Sequence, residues 1–330
     1  MKSPFTGKEM SIVYEDRLWK FRGDEFKYTH SAWLCADTGE MFTTEEMDDA
    51  SYTQVTNQYR AKYGIPFTDE IIAVRARYGL SAAKMSQILG IGINQWRSYE
   101  DGEVPNVSNG RMIRSIMNPK VFQEYINSAR AVLGEKEYAK LSTNISATIQ
   151  DSQKHMYAEY NFSRVFQARR SIENGYAPQS LTRLKNILLY ILEHCSSDVF
   201  CTKMNKILFY ADFLAYRRHG KAITGLSYKA ITYGPVPERW DRVYSQFDEI
   251  VQELRSYGDK EGCVLTTDSL PDLSLLTPNE IKILDEICSS FSNYTSAQLT
   301  DLSHQESAWL NNVNHQNRIT FDLAFSLKAV

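Results

Sequence analysis

Residues 203–237, KMNKILFYADFLAYRRHGKAITGLSYKAITYGPVP, limit the possible folds of this chain more than any other stretch. Met204, Ile207, Leu208, Ala211 and Leu214 recur at helical spacing and give one apolar face. Tyr210, Phe213 and Tyr216 widen that stripe. Thr202 offers a hydroxyl to the first free amides as an N-cap, and His219-Gly220 supplies the residue best suited to a left-handed end. Past Gly225, Tyr228, Ala230 and Thr232 alternate with Lys229 and Ile231, which predicts a strand. Tyr233-Gly234-Pro235-Val236-Pro237 should stop that strand in a rigid turn, because neither proline can donate to a ladder.

Four ordered motifs lie within residues 181–321: K-x-N-K-I-L-F-Y-A-D at 203–212, G-K-A-I-T-G at 220–225, Y-G-P-V-P at 233–237 and S-A-Q-L-T-D-L-S-H-Q-E-S-A-W at 296–309. Together they resemble the Panacea, or SocA-like, domain of bacterial toxin–antitoxin systems. The resemblance implies a mainly helical domain with a small sheet that binds and neutralises a cognate protein toxin and performs no chemistry on it. Met204, Leu208, Ala211 and the Pro235 ring are expected in the core. Lys203, Lys206, Arg217, Arg218 and the Tyr233, Gly234, Pro235, Val236 turn are expected at an exposed or rigid toxin interface, where Tyr and Arg are the usual anchors. Tyr210 and Asp212 join that set, with His304 and Trp309 buttressing the turn.

The 330 residues suit two or three domains. No apolar run approaches the roughly 20 residues a membrane span needs, and the first residues, MKSPFTGKEM, contain no signal-like segment. No membrane partner is expected. Five cysteines without paired spacing fit reduced thiols and a cytoplasmic location. The net charge of −3 is unevenly spread: residues 60–120 carry nine Lys/Arg against five Asp/Glu, residues 203–239 seven against two, and residues 240–330 six against fourteen. Two basic segments on an otherwise acidic chain point to surfaces for anionic partners. His304, Glu306, Tyr210 and Asp212 are the residue types of an acid–base set, but nothing in their spacing joins them, and no phosphate loop, nucleophile elbow or metal spacing occurs. The chain therefore reads as a non-enzyme without cofactor or small-molecule substrate.

In the first sixty residues, aromatic runs around Gly23-Asp24 and Thr38-Gly39 predict a small β-ribbon. It resembles the zinc ribbon of MqsA-type antitoxins, whose two C-x-x-C pairs hold a tetrahedral zinc. Here those positions read Ser3, Thr6, Cys35 and Thr38, three hydroxyls and one thiol, so a metal-free ribbon held by Phe5, Trp19, Phe21, Phe26, Tyr28, Trp33 and Phe42 is expected. A capping-box spacing at Thr43-Thr44-Glu45-Glu46 opens a helix toward Tyr63. Thr68, Ser81 and Gly92 then introduce three short helices, ended by Gly79, Gly90 and Asp101-Gly102, a helix-turn-helix arrangement. It resembles Cro/repressor-type antitoxin domains, including their Y-E-D-G ending. That implies Asn94 and Gln95 reading adenine edges and Arg97 reading guanine or phosphate. The family pattern has a base-contacting arginine near Ser98, and Arg97 stands beside that position here. Lys84, Arg111 and Arg114 are candidate phosphate contacts. A lone domain reads only a half-site, so operator binding implies a homodimer.

From Asn118-Pro119 the chain reads as helical to Leu141, loosened at Ser142-Thr143-Asn144, and partly ordered from Asp151 to Tyr176. Leu181 to Leu192 predicts an apolar helix before the 203 helix. Later elements are a helix after Pro237, a hairpin across Gly258 and Gly262, a Thr277-capped helix, a Thr295- or Ser296-capped helix and a strand at 319–325. The expected architecture is an α+β multidomain chain, mainly α with small β elements. It comprises a ribbon domain (1–63), a helix-turn-helix (64–118), a helical connector (119–179) and a Panacea domain (180–330). The function this implies is that of an antitoxin which also represses its own operon. The alternatives are a stand-alone DNA-binding regulator and an adaptor that delivers a bound protein to a protease.

Overall fold

A computed structural model describes residues 1–152, 156–166, 169–195, 198–257 and 260–330. The fold is mainly α with three small three-stranded sheets among the described residues. Met1–Val55 and Asn161–Val330 together make one compact unit, and Thr56–Tyr160 makes a second.

Strand β1 (Ser11–Phe21) turns at Arg22-Gly23 into β2 (Asp24–Leu34). Both turn residues have positive φ, at 50° and 96°, which matches the twist of a two-residue hairpin. Two short aromatic runs in the sequence are thus parts of one hairpin of 11-residue strands, with β3 (Met41–Phe42) added to β2. Helix α1 (Glu45–Tyr63) starts at Thr44, whose hydroxyl accepts from the Met47 amide. Trp19 and Phe21 pack edge-on to Tyr52 of α1, and Gln54 exchanges two 3.0 Å hydrogen bonds with the Thr29 backbone.

The second unit holds α2 (Thr68–Arg77), α3 (Ala82–Leu89), α4 (Gln95–Glu100), α5 (Val107–Ser115), α6 (Pro119–Ser128), α7 (Arg130–Leu133) and α8 (Glu135–Ser152). Ser81 caps α3 by accepting from the Lys84 amide, as its position predicts. Thr68 does not cap α2: it is the first helical residue, and the Glu70 carboxylate accepts from the Phe67 amide instead. Helix α4 starts at Gln95 rather than near Gly92, because the preceding residues form the turn that seats the Trp96 amide on the Ser86 hydroxyl at 3.1 Å. Ser142-Thr143-Asn144 does not loosen α8. Thr143 and Ser146 donate back to the carbonyls of Ala139 and Ser142, which accommodates hydroxyl residues inside a helix. One core runs through the unit, from Ile71, Val74 and Met85 through Trp96 and Ile113 to Phe122, Leu141 and Ile145. Tyr78 stacks on Phe122 at 4.2 Å across it.

Helix α9 (Met156–Val165) leads to the C-terminal elements: α10 (Leu181–His194), β4 (Val199–Phe200), α11 (Cys201–His219), β5 (Tyr228–Ile231), β6 (Gly234–Pro237), α12 (Trp240–Val243), β7 (Val251–Tyr257), β8 (Lys260–Thr266), α13 (Pro278–Phe291), α14 (Ser296–Ser303), α15 (Ser307–Leu310) and β9 (Arg318–Ile319). Four sequence expectations are corrected here. The N-cap of α11 is Phe200, so Thr202 lies inside the helix. Residues 234–237 do not end the sheet but form β6, an edge strand in the order β6-β5-β9, where a proline's missing donor faces no partner strand. The helix after Pro237 is a single turn, and the last strand is only Arg318–Ile319 before a 3₁₀ segment. The β7–β8 hairpin is present, with Gly258 outside the described residues. Gly220 ends α11 with φ of 65°, seated against α1: an added Cβ would lie 2.6 Å from the Ala50 carbonyl.

Because α2–α5 and α6–α8 share one core, Phe122→Ala should cost about 3–5 kcal/mol. Hydrogen exchange should show the α3 and α8 amides losing protection together. Loss confined to α6–α8 would contradict a common core.

Candidate functional site

Helix α11 is buried on every side: all residues from 203 to 216 are inaccessible. A helix in that position must satisfy each polar side chain internally. Its polar residues point in different directions, and each ties down a different element.

Lys203 reaches the end of α13, where its ammonium donates to the carbonyls of Ser292 (3.1 Å) and Tyr294 (2.9 Å). A cation at a helix C-terminus is favourable for its orphan carbonyls and for the helix dipole. Asn205 accepts from the Tyr244 hydroxyl at 2.5 Å. Lys206, fully buried, donates to the carbonyls of Tyr233 (2.6 Å) and Pro235 (3.0 Å), which clamps the β5–β6 hairpin. Gly234 has φ of 97° and sits so close that a Cβ would lie 2.6 Å from both Lys206 Nζ and Ser303 Oγ. Burial lowers the Lys206 pKa to about 7.

Tyr210 donates to Glu306 at 3.3 Å, and Glu306 also accepts from the Lys328 and Ala329 amides at 3.0 and 3.1 Å. Burial raises the Glu306 carboxyl. Asp212 accepts from the Ile223 and Thr224 amides, both at 2.8 Å, from the Tyr228 hydroxyl at 2.6 Å and from the Thr224 hydroxyl. Burial pushes this carboxyl upward, and the four donors oppose the shift. Trp309 Nε1 donates to the Ile231 carbonyl at 2.7 Å, with His304 stacked on the indole at 3.9 Å; burial lowers the His304 pKa.

These contacts correct the expectation of an exposed interface for Lys203, Lys206, Gly234, Pro235 and Val236, all of which are buried. Tyr210 and Asp212 are buried as well. Tyr233, at the hairpin tip, is 70% exposed, and His304 and Trp309 are half-buried beside it in the fold. Arg217 and Arg218 keep partial exposure but are engaged, Arg217 with the Val330 oxygen at 2.6 Å and Arg218 as a bidentate pair with Glu286. The basic count over 203–239 therefore does not make a basic surface. Tyr210 and Glu306 meet, while Asp212 is enclosed by its own donors and His304 stacks elsewhere, so the four do not converge on a common point. Sequence reading missed Asn205, Ser303 and Thr224 as partners, and grouped Glu306 with Tyr210 only as residue types of an acid–base set. The available signal was that polar residues inside an otherwise apolar helix need buried acceptors and donors.

In the ribbon, Ser3, Thr6, Cys35 and Thr38 come together at the turns capped by Gly7 and Gly39. The Ser3 and Thr38 hydroxyls hold the Cys35 thiol down at about 6. Three neutral hydroxyls and one thiol do not fit a structural zinc.

In the second unit, Asn94 and Gln95 precede and open α4, Arg97 and Ser98 follow, and Trp96 and Tyr99 are core. Gln95 donates to Glu103 at 3.2 Å and Ser98 to the Asn94 carbonyl. Most basic residues of 60–120 have internal partners. Arg60 binds the carbonyls of Pro66, Gly102 and Glu103; Arg75 pairs with Glu100, Lys84 with Glu137 and Arg114 with Glu70. Arg97 and Arg111 are exposed with no hydrogen-bond or ion-pair partner among the described residues.

Residues 204–310 match the model of the family described as Antitoxin SocA-like, Panacea domain. Over that stretch the chain is similar to SocA-like antitoxin domains. That match begins inside α11 and ends with α15, and so covers the hairpin clamp, the Asp212 network and the Tyr210–Glu306 hydrogen bond. No curated protein and no solved structure matches the chain.

Lys206 gives a pH test. Its folded pKa lies below the ordinary lysine value, so between about pH 7 and 10 the unfolded chain holds a proton that the folded chain does not, and stability rises with pH across that window. In Lys206→Met this contribution is absent. Denaturant titrations from pH 7 to 9.5 should show wild type gaining stability relative to the variant by up to about 1.4 kcal/mol per pH unit. Parallel curves would show that Lys206 stays charged in the fold.

Proposed function

We propose that this chain is an antitoxin that holds a cognate protein toxin through residues 180–330 and occludes it without chemical change. The observation that carries this reading is the match of residues 204–310 to the SocA-like antitoxin family. The geometry supports it in a specific way. The family-like motif residues are consumed in building the domain, which leaves its outer surface free to be specific for one partner. Tyr233, held at the tip of a hairpin clamped by Lys206, belongs to that outer surface.

The second part of the proposal is autorepression through the helix-turn-helix of α3 and α4 with the adjoining α5. Arg97 and Arg111 support it as exposed cations without internal partners, with Asn94 and Gln95 at the start of α4 as base readers. Two such cations per copy make a small phosphate footprint, so two copies acting on a palindromic operator are required. Lys84 and Arg114 contribute only by leaving Glu137 and Glu70.

Co-expression of the full chain with the product of the adjacent reading frame tests both parts. The full chain is needed because Gly220 at the end of α11 is seated on α1. Wild type should rescue growth. Arg97→Ala with Arg111→Ala should still rescue while losing salt-sensitive binding to the upstream DNA. Rescue that disappears with DNA binding would favour a stand-alone regulator. A fall in the product's level only when a host protease is present would favour an adaptor.

A further inference from the structure

An open cleft of about 730 Å³ lies between the start of α11, the β4–β8–β7 sheet and the turn from α13 to α14. Of the motif residues, Lys203, Ser296 and Ala297 line it. Its walls are mainly apolar, and two aromatic side chains on its lining, Trp240 and Tyr294, remain 43% and 39% exposed. Large aromatics left in water beside an apolar recess mark a contact site more often than a monomer's ordinary surface. A second cavity of about 420 Å³ adjoins it through the shared residue Asp198.

The charges around the two cavities have one sign. Glu193, Asp198, Glu261 and Asp268 line them, and the single lining cation, Lys203, is buried against two carbonyls. Arg255 answers Asp198 at 3.1 Å, and the His194 ring lies 3.7 Å from Glu193. Glu261 and Asp268 are exposed and have no ion-pair partner among the described residues. The surrounding sequence, residues 240–330, has fourteen acidic against six basic residues. A groove that is apolar within and acidic at its edge complements a basic chain segment with an apolar side chain to bury.

We propose that this groove is where the domain holds its protein partner, and that it takes a short Lys/Arg-rich segment of that partner with one aromatic or aliphatic side chain seated between Trp240 and Tyr294. The assignment rests on the antitoxin reading and adds its location and chemistry. An open cleft with a second recess beside it suits a chain segment rather than an enclosed small molecule.

The test uses the purified full chain and the purified product of the adjacent reading frame. Trp240→Ala with Tyr294→Ala, and separately Glu261→Lys with Asp268→Lys, should each weaken binding about tenfold or more at unchanged Tm. Asp322→Lys, on an exposed residue outside the groove, should leave affinity unchanged, and the wild-type association rate should fall as salt rises. Cys263 lines the cleft, so bound partner should also slow its alkylation by iodoacetamide in the wild-type chain, a readout that needs no variant. If wild type binds while both double variants bind equally well and Cys263 alkylates at an unchanged rate, the groove is not the site and the antitoxin reading stands. If wild type does not bind the product at all, that reading fails and the groove assignment fails with it.

Discussion

The C-terminal part of this chain depends on the requirement that a helix buried on all sides leave no polar group unsatisfied. Helix α11 supplies five such groups, Lys203, Asn205, Lys206, Tyr210 and Asp212, within three turns. Each is matched by a partner distant in sequence: the end of α13, Tyr244, the β5–β6 hairpin, Glu306 and the 223–228 segment. Replacing one partner alone would strand a buried donor or acceptor, typically at a cost of about 1–3 kcal/mol, more for a charge. The helix therefore sets where its neighbours lie, and the neighbours set which residues it can carry.

This arrangement separates scaffold from surface. Gly234 is there because a side chain would meet Lys206 and Ser303; Pro235 and Pro237 are tolerated because β6 is an edge. Arginines that look like surface charge in the sequence are engaged, Arg218 with Glu286 and Arg318 with Glu238 and Glu173. What remains for a partner lies mostly outside the buried motif positions: the exposed Tyr233 tip and the apolar, acid-edged groove lined by Trp240 and Tyr294. A platform of this kind can keep its interior while its surface changes to suit different partners, and its specificity would then be set by surface residues rather than by the buried motif positions.

Much of the fold was legible in the sequence, and the losses have physical causes. Helix α11, its Gly220 end, the Thr277 and Thr295 caps and the ribbon hairpin follow from periodicity and capping chemistry. Residues 234–237 were unreadable as a strand, since proline argues against a ladder unless the edge position is known. The continuity of α8 through Ser142-Thr143-Asn144 depended on hydroxyls bonding back to helix carbonyls, a local choice that propensity does not decide. The site was the least legible part. Lys203 and Lys206 look like solvated helix residues until the carbonyls of Ser292, Tyr294, Tyr233 and Pro235 are brought to them, and those acceptors lie 27 to 91 residues away. Trp240 and Tyr294 gave no sequence signal of a shared site, because they line one cleft only through the packing of the elements around it.

The central claim, neutralisation by contact without chemistry, is tested most directly by mixing the purified full chain with the product of the adjacent reading frame. The mixture is then examined by size-exclusion light scattering and intact-protein mass spectrometry. The account predicts one co-eluting complex in which both polypeptides keep their original masses and the product regains activity when released by denaturation and refolding. A changed mass of the product, or two proteins that elute separately, would contradict it.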